Sequence, residues 1–165
     1  MRTMTAARQR RKLSLLVPLV LAAGVFGAAP LRAVTSERVV ADRHTGLAIG
    51  GFDPVAYFVD GKPMPGIGEW EYAHSGATWR FRNEGNRAAF KQNPDIYLPR
   101  YGGYDPVALA RGVAVAGKPT IWVVADSRLW LFYDEAALDR FFQETGRIEG
   151  AADRMWPEVM RTLAR

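Results

Sequence analysis

With no cysteine in the chain, metal or proton chemistry falls to two histidines, the methionines and the carboxylates. His74 sits where a hairpin turn is expected. It reads either as a metal ligand or proton-sensitive switch, or as a polar turn residue. His44 lies 30 residues earlier in a polar entry segment, and no HExxH-like spacing joins the two. A zinc or copper(II) site requires three or four N, O or S ligands. Met64 is a thioether suited to copper(I). The lack of cysteine removes thiolate metal sites, thiol nucleophiles and CxxC redox chemistry.

Asp53 and Asp105 stand at matching places, each followed by proline. They read as helix N-caps with Pro at the first helical position, or as an acid–base pair facing across a duplicated fold. Tyr97, Arg100, Tyr101 and Tyr104 form an aromatic segment punctuated by Pro99 and Gly102-Gly103. Such a segment offers phenol hydroxyls and one guanidinium to a small molecule or peptide, or seals a core as a linker between repeats. With Asp53, Tyr57 and Asp105, these residues make up the candidate ligand-binding set. No Ser-His-Asp order, phosphate loop or dinucleotide fingerprint appears, and the glycines from Gly46 to Gly51 lack the spacing. The expectation is a module without catalytic activity.

The elements that must position these residues come in two copies. Gly51-Phe52-Asp53-Pro54-Val55-Ala56 matches Gly103-Tyr104-Asp105-Pro106-Val107-Ala108, 52 positions on. Trp70 and Trp122, and Ser75 and Ser127, keep that offset. Trp79 and Trp130, Phe81 and Phe132, Asn83 and Asp134, and Phe90 and Phe141 are 51 apart, which places one deletion in the hairpin turn. Two copies indicate a duplication, since a solenoid needs three or more.

Each copy predicts helix, hairpin, helix. The hairpins are Glu69–His74 with Ala77–Arg82, and Thr120–Ala125 with Leu129–Tyr133. Their turns are Ser75-Gly76 and Asp126-Ser127-Arg128. Alternation puts Trp79 and Phe81 on one face, and Trp130 and Phe132 on one face. Asn83 and Asp134 cap the following helices. The second of these carries an Ala137, Leu138, Phe141 and Phe142 stripe and ends before Gly146. A last amphipathic helix spans about Ala151 to Ala164, with Pro157 kinking it or delaying its start. The fold class is therefore α+β: one small domain of two related helix–hairpin–helix halves plus a C-terminal helix.

Ahead of this domain, five basic residues between Arg2 and Lys12 precede an apolar run from Leu13 to Ala29 and a small-residue exit. That pattern predicts a signal peptide over residues 1–33, cleaved near Ala29 or Ala33, by the general secretory or the twin-arginine route. The protein is then periplasmic or otherwise exported, and touches a membrane only through an uncleaved leader. Residues 1–35 hold six of the 22 Lys and Arg and none of the 17 Asp and Glu, so the remainder carries a net charge of −1. No basic cluster is left there, which argues against a nucleic-acid partner. Five Trp, six Tyr and seven Phe remain to build a core without disulfides.

Several stretches resemble the YHS-domain family in its exported bacterial form. They are Gly51 to Phe58, Gly76 to Phe81, Asn86 to Phe90, Asn93 to Pro99 and Arg100 to Tyr104, in order, over about 51–104. The second half, 103–142, is similar more loosely, within a YHS-like domain of 34–165. The resemblance implies a small α+β fold and, in many members, handling of copper or another transition metal. His74-Ser75 matches part of the motif that names the family. Metal-linked members carry cysteines where this chain has Val55, Ala56 and Tyr57, and near Phe81, Arg82 and Asn83; exported ones often carry one where Asp105 stands. The leading expectation is an exported YHS-type module that binds a small ligand or a protein partner near the Tyr97–Asp105 segment. The alternative is a periplasmic metal-binding accessory protein using His74 and carboxylates.

Overall fold

A computed structural model of the chain describes residues 38–163. The signal peptide expected over 1–33 lies outside them, as does Ala164. No helix among the described residues is long and apolar enough to cross a membrane.

The first copy holds α1 (Ala56–Val59), β1 (Ile67–His74), β2 (Ala77–Phe81), α2 (Glu84–Gln92) and α3 (Pro94–Tyr97). The second holds α4 (Pro106–Leu109), β3 (Lys118–Ala125), β4 (Arg128–Phe132) and α5 (Glu135–Leu163). Strands β1 and β2 form one antiparallel hairpin, and β3 and β4 another. This is the expected α+β domain with a C-terminal helix.

Both hairpins turn on two residues of positive φ: Ser75 (52°) with Gly76 (81°), and Asp126 (50°) with Ser127 (58°). That conformation matches the right-handed twist of paired strands. Arg128, expected in the turn, is already in β4. Both hairpins also carry the same irregularity, between Ile67 and Glu71 and between Lys118 and Trp122.

The duplication extends to individual hydrogen bonds. Ahead of each aspartate, three residues have left-handed φ: Ile49 (42°), Gly50 (64°) and Gly51 (79°), against Tyr101 (52°), Gly102 (62°) and Gly103 (93°). Asp53 N–H donates to Met64 O at 2.8 Å, and Asp105 N–H to Val115 O at 2.9 Å. Gly66 N–H bonds Gly51 O, and Gly117 N–H bonds Gly103 O, both at 2.9 Å. At Gly117 an added Cβ would lie 2.7 Å from Leu131 Cβ and 2.8 Å from Gly103 O, so only glycine lets the two backbones meet there.

These bonds correct the position of the deletion. The copies are 52 apart at Asp53 and Asp105, but already 51 apart at the positive-φ Gly61 and Gly112 and at Met64 and Val115. The missing residue lies in the short helix, not in the hairpin turn. Trp122 therefore matches Glu71 in register, and Ser127 matches Gly76. The apparent pairs Trp70–Trp122 and Ser75–Ser127 are one position out of structural register.

Two further expectations change. The helical run does not end before Gly146 but continues from Glu135 to Leu163, with one non-helical residue, Glu144 (φ −137°, ψ 31°). Beside that break the Thr145 hydroxyl donates to Phe141 O at 2.7 Å, the kind of side-chain bond that bends helices. Pro157 lies inside the run. Phe142 leaves the apolar stripe and is 58% exposed, because its neighbour Phe141 takes the inward position.

Two apolar clusters fill the domain. The first gathers Ile49, Tyr57, Trp79, Phe81 and Phe90. The second gathers Tyr101, Leu109, Trp130, Phe132, Phe141 and Ile148. Strand β4 serves both: Leu129 and Leu131 enter the first, and Trp130 and Phe132 the second.

Candidate functional site

Asp53 and Asp105 are both buried, at 0% and 1% exposure. Each carboxylate receives three N–H donors. Asp105 Oδ1 accepts from Val107 N (2.7 Å) and Ala108 N (3.0 Å), and its Oδ2 from Tyr133 N (2.8 Å). Asp105 is the expected N-cap of α4. Asp53 Oδ1 accepts from Val55 N (2.8 Å), and its Oδ2 from Arg82 N (2.9 Å) and the Asn86 side-chain amide (2.7 Å). Here the helix starts two residues later than a Pro54 first position implies, at Ala56, so Asp53 caps the turn before α1. In both copies the carboxylate ties the helix entrance to the residue after the second strand. The two aspartates share no donor, and each serves its own copy. Asn83 and Asp134 cap α2 and α5 as expected, through Asn86 N and Ala137 N, both at 2.8 Å.

The aromatic segment divides into buried rings and one exposed edge. Tyr101 and Tyr104 are buried, with rings against Trp156 at 5.7 and 5.9 Å. The Tyr101 hydroxyl donates to Asp153 Oδ1 at 2.9 Å. Tyr97 is half-buried with its ring edge against Phe58 at 5.5 Å. Tyr57 is buried, and its hydroxyl donates to Pro119 O at 2.8 Å, joining α1 to the start of β3. The rings of this set thus pack inward.

Arg100 faces outward. Its terminal nitrogen donates to Asp153 Oδ1 at 2.7 Å, its guanidinium lies 5.0 Å from the Tyr101 ring, and its Nε is buried without a hydrogen-bond partner. It borders a cleft of about 270 Å³ with Asp95, Leu98, Pro99 and Arg128. Arg128 in turn pairs with Glu149 at 2.9 Å. Sequence reading missed Asp153 and Glu149, the two carboxylates of α5 that hold these arginines. Their spacing of four on a helix was the available signal.

The remaining candidates stand apart. His74 is half-buried, stacked on Tyr72 at 6.2 Å and edge-on to Phe90 at 5.7 Å. His44 is exposed. The Met64 carbonyl holds Asp53 N–H. Among the described residues no three His, Asp or Glu side chains gather where they could hold a metal ion.

Burial pushes the Tyr57 phenol well above the ordinary tyrosine value, and the Asp53 charge adds to this. Burial likewise raises Tyr101, followed by its bond to the Asp153 carboxylate and the charge of that group. Each neutral phenol is thus favoured by the fold, so its contribution is complete below the unfolded value of about 10 and is lost as pH rises beyond it. Ultraviolet titration should show Tyr57→Phe and Tyr101→Phe with the same absorbance rise as the parent up to pH about 10. Either variant falling short of the parent's rise by about half of one phenol's signal at pH about 10, the share an ordinary tyrosine gives there, would contradict the assignment.

The fold and these sites define a duplicated α+β domain with two backbone-anchoring carboxylates. No family model, no curated protein and no solved structure matches the chain.

Proposed function

We propose that this protein is an exported, non-catalytic module of the YHS type that binds a small ligand or a protein partner along the Arg100 edge of the Tyr97–Asp105 segment. The resemblance supports the class. Its stretches fall on coherent pieces of the fold: a left-handed turn with its aspartate and α1, then β2, α2, α3, and the second left-handed turn. The carrying observation is the buried, unbonded Nε of Arg100 beside an open cleft. A buried donor left unsatisfied costs about 1–3 kcal/mol, and an oxygen of a bound molecule would satisfy it. The two buried aspartates are each occupied by three N–H donors and serve as anchors, which leaves Arg100 as the charged group of the set that faces a cleft.

The Arg100 Nε–H resonance of ¹⁵N-labelled protein provides the test. A fragment screen is expected to give hits that move this resonance together with the amides of Leu98 and Arg128, and that Arg100→Lys abolishes. Hits confined to other surfaces would overturn the placement of the site.

A further inference from the structure

The duplication allows one site to be compared with its own earlier copy. Arg82 and Tyr133 are equivalent, because each gives its backbone N–H to the buried aspartate. Asn86 and Ala137 are equivalent, because each gives its backbone N–H to the capping residue. Asp60 and Arg111 each precede the matching positive-φ glycine. Ala89 and Arg140 stand three residues beyond Asn86 and Ala137.

In the first copy this place is occupied and neutral. The Asn86 amide reaches Asp53 at 2.7 Å, and Arg82 pairs with Asp60 at 2.8 Å. In the second copy all of that is gone. Ala137 has no amide to insert, and Tyr133 with Arg111 cannot form the ion pair. A cleft of about 550 Å³ lies there instead, bordered by Val107, Val115, Tyr133, Ala137, Arg111 and Arg140. That volume falls within the range of small-molecule sites.

The charge has changed as well. At these four positions the first copy carries Asp60 and Arg82, which cancel, while the second carries two arginines. Arg111 and Arg140 are exposed, and neither forms an ion pair among the described residues. Lys118 does not border the cleft, but its Nζ lies 4.9 Å from the ring centre of Tyr133, which does. The carboxylates at hand are already engaged: Asp105 by three backbone N–H groups, and Asp134 as the cap of α5. Guanidinium forks match carboxylate and phosphate geometry, and the apolar wall of Val107 and Val115 suits a hydrocarbon body.

We propose that the second-copy cleft binds a small organic anion, a carboxylate or phosphate ester on an apolar body, held between Arg111 and Arg140. The site shares no bordering residue with the Arg100 cleft and stands independently of it.

Titration of the full mature chain with benzoate, phenyl phosphate and benzyl alcohol, followed by amide shifts, tests this. One or both anions are expected to move the amides of Arg111, Ala137 and Arg140 with Kd on the order of 1 mM, the range for ligands of this size. The better anion shows whether carboxylate or phosphate is preferred, and benzyl alcohol should bind roughly tenfold or more weakly. Arg111→Gln and Arg140→Gln, both at exposed positions, should each weaken the better anion roughly tenfold with the melting temperature unchanged. Ala137→Asn restores the first copy's amide and should close the site. No shift at these amides by about 10 mM of either anion would overturn the proposal. So would equal binding of benzyl alcohol, unchanged affinity in both arginine variants, or shifts confined to Arg100 and Arg128.

Discussion

Replacing Asp105 with alanine is expected to remove about 3–6 kcal/mol of stability, a large share of the roughly 5–15 kcal/mol available to a domain. The side chain is fully enclosed, and three backbone N–H groups converge on it from Val107, Ala108 and Tyr133. Alanine leaves all three donors without an acceptor where water has little access, and each orphan costs about 1–3 kcal/mol. It also releases the end of β4 from the start of α4. Asp53→Ala should cost less, because one of its three donors is the amide of half-buried Asn86, which can swing toward solvent. Asp105→Asn should fall between parent and alanine: one acceptor oxygen remains, while the new amide nitrogen confronts an N–H. Urea denaturation of the three variants measures the order. A loss below about 1 kcal/mol for Asp105→Ala would mean that the carboxylate is not the anchor described.

That anchor was legible in the sequence only in part. Asp-Pro announced a helix start in both copies, and the caps at Asn83 and Asp134 followed from local chemistry. The third bond of each aspartate was not legible, since Tyr133 and Arg82 donate through their backbones, which carry no residue-type signal. The matching tryptophans at 70 and 122 misplaced the deletion, because identity of side chain outweighed register. The positive-φ glycines Gly61 and Gly112, with the backbone bonds to Met64 and Val115, locate it. The break at Glu144 escaped for a similar reason: Gly146 is the stronger helix terminator by type, but in the fold the run continues past it to carry Ile148, Ala152 and Val159 into the second cluster. In the candidate site, the aromatic segment announced itself while its carboxylate partner on α5, Asp153, lay about 50 residues away.

Strand β4 supports the second large expectation. A hairpin strand with one wet face alternates apolar and polar residues, whereas Leu129, Trp130, Leu131 and Phe132 are all buried. The two leucines belong by sequence to the second copy but pack among Trp79, Phe81 and Phe90 of the first. Each copy's core is therefore incomplete alone, and the described domain should unfold as one cooperative unit. Leu131→Ala is expected to cost about 2–5 kcal/mol, and Phe132→Ala about 3–5 kcal/mol, through the cavity each leaves. The distinctive consequence lies in where the loss is felt. Under native-state hydrogen exchange, Leu131→Ala should lower the protection of β2 amides as much as those of β4, although β2 lies 50 residues away in the other copy. Were β2 to keep its protection while β4 lost it, the halves would be separately stable units. The strand would then be a contact between two finished cores and not the shared wall that both require.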